Sequence, residues 1–120
     1  GYLILARRQF SQPEKYSDAW NFGTKNNSVK SVKEIIDYMI TFWGSGKIRY
    51  NKKVKFYEQK NLQLDIKKAK KNLNWYPTYS VKKGVQITTE WYKNVFKEKK
   101  DPYKVTNNQI LGYMNENKWG

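Results

Sequence analysis

Ser31 and Glu34 stand three residues apart, directly ahead of an apolar series. That series, Val32, Ile35, Ile36, Met39 and Trp43, recurs at helical spacing and stops at Gly44. Ser-x-x-Glu is a capping box. The serine oxygen takes one of the unpaired N–H groups of the first turn, and the glutamate reaches back to the serine N–H. Glycine then supplies the left-handed residue that closes a helix. Start, face and stop agree, so the pattern predicts a helix over 31 to 43. Its apolar stripe must be covered, and the rest of the chain is read for what covers it.

Two more helices follow from the same logic. Ser80 caps a helix over 81 to 98, with Val81, Val85, Thr88, Trp91, Tyr92 and Val95 at apolar positions and Asp101-Pro102 breaking it. Trp20, Trp43, Trp91 and Tyr92 are expected in the core. Asp65 is a good N-cap for a short helix over 66 to 73. On that helix Ile66, Ala69 and Leu73 form a narrow apolar face, Lys67, Lys68, Lys70 and Lys71 lie off it, and Pro77 closes the segment. Thr106 and Gln109 form a second box, Thr-x-x-Gln, for a last helix carrying Ile110, Tyr113 and Met114, followed by a frayed tail. The opening "GYLILARR" reads as helix with Leu3, Ala6 and Phe10 on one side, ended by Pro13. It has neither an N-cap residue nor an initiator methionine, so a fragment is expected.

Extended pieces are few and short. "AWNFG" (Ala19 to Gly23) reads as a strand closed by glycine, Lys47 to Tyr50 as an extended piece, and Leu62 to Leu64 as a strand end. The expected class is α+β, mainly helical with a few short strands, over one domain spanning 1 to 120. Those strands are too few for a free-standing covered sheet, which is a second hint of a partner domain. Gly84 inside a helix costs about 1 kcal/mol against alanine, so it is expected to admit a close neighbour.

Composition excludes several functions. The chain has neither cysteine nor histidine, so there is no disulfide, no thiolate chemistry and no imidazole for metal or proton transfer. A reducing, cytoplasmic setting is the simplest reading. No apolar run approaches the roughly 18 residues of a membrane span. The net charge of +14 raises nucleic-acid binding, yet only three of 24 basic residues are arginines (Arg7, Arg8, Arg49). Readers of phosphates and bases favour the arginine fork. A Lys/Asn/Ile/Tyr bias also follows from an AT-rich coding sequence, and nucleic acid is therefore not the expected main partner.

Catalytic signatures are missing. There is no Gly-x-Gly-x-x-Gly, no P-loop and no Gly-x-Ser-x-Gly elbow. The ten carboxylates are not paired as Asp-x-Asp or Glu-x-x-Glu. A Tyr-x-x-x-Lys search offers "YNKKV", whose spacing is wrong, and no pair set on a helix.

Four stretches carry a resemblance: "AWNFG" (Ala19 to Gly23), "LQLDIKKAKKNLNWYP" (Leu62 to Pro77), "EWY" (Glu90 to Tyr92) and "VTNNQILGY" (Val105 to Tyr113). In this order they resemble the C-terminal part of the CDP-glucose 4,6-dehydratases, within the extended short-chain dehydrogenase/reductase superfamily of sugar-nucleotide epimerases and dehydratases. The resemblance implies a lyase using tightly bound NAD. It oxidises the sugar at C4, eliminates water across C5 and C6, and returns the hydride to C6, giving a precursor of deoxysugars in surface polysaccharides. It also implies that the NAD fingerprint and the Tyr-x-x-x-Lys pair lie in an N-terminal Rossmann domain. This segment would then be the substrate domain of a parent enzyme that binds a CDP-sugar, with weak or absent binding by the segment alone, without bound NAD and inactive alone. Homo-oligomers or exchange of the first helix between copies are expected.

Two site residues follow from the resemblance alone. Relatives often place an arginine for the diphosphate ten residues before the position of Asp65, and here that residue is Lys55, a point charge without the planar fork. Seven residues before Asp65 they place an acidic residue near the ribose hydroxyls, here Glu58. The branch often reads His-Glu-Ala at this point, and this chain departs from it with Tyr57-Glu58-Gln59. Beside these roles stand plainer ones: Lys55 as a surface lysine, and Glu58 paired with Lys53 or Lys60.

Overall fold

The capping box forms as its spacing requires. Glu34 N–H donates to Ser31 Oγ at 3.2 Å, and Ser31 N–H donates to Glu34 Oε2 at 2.9 Å. Helix α3 (Val32–Trp43) runs from there to Gly44, whose φ of 91° is the left-handed stop. The fold comes from a computed structural model that describes residues 1–25, 30–49 and 64–116. The other helices are α1 (Tyr2–Ser11), α2 (Pro13–Tyr16), α4 (Lys67–Leu73), α5 (Val81–Tyr92) and α6 (Pro102–Glu116), with a π-helical turn at Lys93–Lys97. The protein is mainly helical, and no strand forms among the described residues.

The described residues fall into two compact units, 1–25 with 64–78 and 30–49 with 79–116. The first is built around α4. Ile66, Ala69 and Leu73 are buried as the spacing predicts, joined by Tyr16. Ile4, Leu5, Trp20, Phe22 and Trp75 pack on this centre. The rings interlock: Phe22 meets Trp75 edge-on at 5.0 Å and Tyr2 at 5.1 Å, and Tyr16 stacks on Trp20 at 5.9 Å. Such pairs add about 0.5–1.5 kcal/mol beyond their area.

Several expectations change here. "AWNFG" is not a strand. Trp20 Nε1 donates to the Tyr16 carbonyl at 3.0 Å, and Lys68 Nζ donates to the Ala19 carbonyl at 2.9 Å, so side chains hold the segment without a ladder partner. Lys68 is therefore no idle surface lysine. It also pairs with Asp18 and lies 4.5 Å from the Trp20 ring centre, holding the Asp18 carboxyl below its usual range. Pro13 opens α2 rather than merely ending a helix, because proline fits the first helical position. In α1 the expected face is turned out: Leu3 and Phe10 are 72% and 93% exposed, and Ile4 and Leu5 pack inward instead. Asp65 does accept from Lys67 N–H at 2.9 Å, while the helix itself begins at Lys67 and ends at Asn74, in the left-handed region at φ 51°. Asparagine tolerates that region, so it, three residues ahead of Pro77, is the stop.

In the second unit α3 packs on α5. Ser80 caps α5, its Oγ accepting from Lys83 N–H at 3.2 Å. The helix expected to 98 changes register at Tyr92, and the next five residues form the π turn. Tyr92, expected in the core, is 48% exposed, stacked on Phe96 at 5.7 Å. The last helix begins at Pro102, one turn before the expected box. Asp101 Oδ1 accepts from Lys104 N–H at 3.0 Å and serves as the cap. Thr106 and Gln109 lie inside α6, where the Thr106 hydroxyl donates to the Pro102 carbonyl at 2.8 Å. Arg49 and its neighbours from Lys47 show no strand, while Tyr50, and Leu62 and Gln63 of the expected strand end, lie outside the described residues. No helix among the described residues is long and apolar enough to cross a membrane.

Candidate functional site

Lys55 and Glu58, the two residues assigned to the nucleotide, lie outside the described residues. The four motif stretches can be followed where they are described, and they meet in pairs. "AWNFG" contributes Trp20 and Phe22 to the core around Ala69 and Leu73 of the second stretch. In the other unit "EWY" meets "VTNNQILGY": Trp91 Nε1 donates to Thr106 Oγ1 at 2.9 Å. Motif residues thus build the core of the first unit, and in the second they join the end of α5 to α6.

The second meeting also frames a cleft of about 340 Å³, lined by Glu90, Asn94, Lys100, Val105, Asn108 and Gln109. Its walls are the end of α5, the π turn and α6. The π turn places Asn94 so that its Nδ2 donates to the Glu90 carbonyl at 2.8 Å, and Lys100 Nζ donates to Asn94 Oδ1 at 2.6 Å. Lys100 also pairs with Glu98 at 2.7 Å, which holds the Glu98 carboxyl below its ordinary value. Gln86 Nε2 donates to Glu90 Oε1 at 2.8 Å, and Gln109 Nε2 ties α6 to the Ile87 carbonyl at 2.9 Å. A π turn inside a helix often marks a functional site, because it turns side chains out of the regular ladder.

The sequence reading did not assign a role to this cleft. Glu90, Val105, Asn108 and Gln109 all sit in stretches that carry the resemblance, yet nothing in their spacing shows that α5 and α6 bring them together. Tyr79 and Lys83 do have Tyr-x-x-x-Lys spacing. Tyr79 precedes the cap Ser80, however, and Lys83 Nζ lies 5.9 Å from the tyrosine ring centre, so the pair is not the expected helical relay. Burial, then a hydrogen bond with Glu116, pushes the Tyr79 hydroxyl above its usual pKa. Among the described residues no group of three His, Cys, Asp or Glu side chains could hold a metal. None of the described elements sets a glycine-rich turn between a strand and a helix.

The chain is similar to the CDP-glucose 4,6-dehydratase of Salmonella typhimurium. Identity is 31% over 94 residues, which is 78% of this chain and 26% of that enzyme. The resemblance first drawn from the four motif stretches is thus matched by alignment. The chain spans about a quarter of the relative's length. No protein-family profile matches it.

Proposed function

We propose that this chain is the substrate side of a sugar-nucleotide 4,6-dehydratase, a lyase acting on CDP-glucose. The similarity to the Salmonella enzyme supports this reading, together with the order of the motif stretches along the chain. In it the chain forms a single C-terminal substrate domain that works against a Rossmann domain holding NAD, supplies no catalytic residue of its own, and is inactive alone. NAD would bring the hydride chemistry. The residues here would bind and orient the nucleotide: Lys55 donates to the diphosphate, and Glu58 accepts from the vicinal ribose hydroxyls.

The test uses the protein as its own gene encodes it. Calorimetry with CDP-glucose should show binding, and Lys55→Ala and Glu58→Ala should each weaken it roughly 10- to 100-fold, the usual worth of a hydrogen bond to a charged group. Unchanged affinity in both variants would sink the site assignment. A protein that neither binds nor dehydrates CDP-glucose would sink the function.

A further inference from the structure

The cleft at the π turn holds polar groups that the fold uses only in part. Glu90 accepts from Gln86 through Oε1, which leaves Oε2 as an acceptor. Gln109 commits its amide nitrogen to the Ile87 carbonyl, which leaves Oε1. Lys100 commits two of its three N–H groups, to Asn94 and Glu98, and keeps one. Asn108 lines the cleft, and its side chain hydrogen-bonds to no described residue, so its amide offers both a donor and an acceptor. Asn94 is committed at both ends and fixes the wall.

Charge narrows the class of ligand. An anion entering here would meet the Glu90 carboxylate. A cation would enter beside Lys100, on a chain of net charge +14. A neutral molecule with several hydroxyls, each donating and accepting, can satisfy all four open groups without opposing a charge. Val105 supplies an apolar wall for its C–H face. The volume, about 340 Å³, sits at the small end of ligand sites, which start near ~300 Å³. We propose that this cleft binds a neutral polyhydroxyl ligand of the hexose class. The proposal does not rest on the dehydratase reading, because it uses other residues and its probe carries no nucleotide.

The experiment is a titration of the full chain with D-glucose, followed by the side-chain amide signals of Asn94, Asn108 and Gln109 in nitrogen–proton correlation spectra. Saturable shifts confined to these signals are expected, with half-saturation in the millimolar range. Asn108→Ala breaks no hydrogen bond between described residues, so the fold should persist, which circular dichroism checks. It should weaken binding roughly 2- to 10-fold, and Glu90→Gln should do likewise. No saturation with glucose overturns the proposal, as does binding untouched by Asn108→Ala. Shifts produced by ethylammonium or acetate but not by glucose overturn the choice of ligand.

Discussion

Glu34 accepts from Lys30 Nζ at 2.8 Å, from Ser31 N–H at 2.9 Å and from the Ser31 hydroxyl at 3.1 Å. The Lys30 hydrogen bond, followed by the two from Ser31, lowers its pKa from 4.5 to about 2. The folded form thus holds the ionised carboxylate more tightly than the unfolded chain does. The resulting stabilisation is complete above the unfolded value of 4.5 and is lost as pH falls toward about 2. Urea denaturation of the wild type and Glu34→Gln checks this. The difference between them should be flat near neutral pH and shrink across that acid window, and a constant difference at all pH values would contradict it. Thr89 presents the opposite case. It is 2% exposed, and its hydroxyl has no hydrogen-bond partner among the described residues. An unsatisfied buried hydroxyl costs about 1–3 kcal/mol, so Thr89→Val, which keeps the shape, should raise stability by roughly 1 kcal/mol. A loss of stability in the same denaturation assay would show that the hydroxyl is bonded after all.

Among the elements, what was legible in the sequence was local. The Ser31–Glu34 box, the Gly44 stop and the Ser80 cap each need only a few neighbouring residues, and each forms as read. The face of α1 was not legible. Leu3, Ala6 and Phe10 recur at helical spacing, whereas Ile4 and Leu5 are adjacent and mark no stripe, and only a distant partner, the α4 core, selects them. The register change after Tyr92 has the same character: Val95 keeps the apolar spacing of α5, so periodicity alone extends the helix. Short apolar alternation at Ala19–Gly23 suits a strand, but no described strand pairs with it, and Lys68 and Tyr16 take up its polar groups. Gly84 corrects a further expectation. A Cβ built there meets no atom within 4 Å among the described residues beyond its chain neighbours and its own helix backbone, so none of the packed elements described requires the glycine. Gly84→Ala should therefore stabilise α5 by about 0.5–1 kcal/mol, since alanine restricts the unfolded chain and favours helix. A thermal melt checks it, and a lower midpoint would mean the position is tighter than the geometry allows.

At the scale of the whole molecule, charge and exposed apolar surface make opposite demands. The assignment of Lys55 and Glu58 to the nucleotide came from resemblance, whereas the cleft proposed for a hexose exists only once α5 and α6 meet, which is why no linear motif announces it. Neither site accounts for the net charge of +14 or for the outward face of α1, where Tyr2 is 78% and Phe10 93% exposed. Two whole-molecule behaviours follow from these features, and salt separates them. Binding to a nucleic acid releases counterions and weakens steeply as salt rises. Association of two copies through the α1 face must overcome repulsion between like-charged chains, which salt screens, with the Debye length falling from about 10 Å at 0.1 M to about 3 Å at 1 M. Self-association should therefore strengthen with sodium chloride, and Phe10→Ser should abolish it with little loss of monomer stability, because that side chain packs on almost nothing. Light scattering across a salt series reads both. A monomer at every salt and concentration would end the self-association reading, while oligonucleotide binding that persists above physiological salt would show that the lysines recognise nucleic acid.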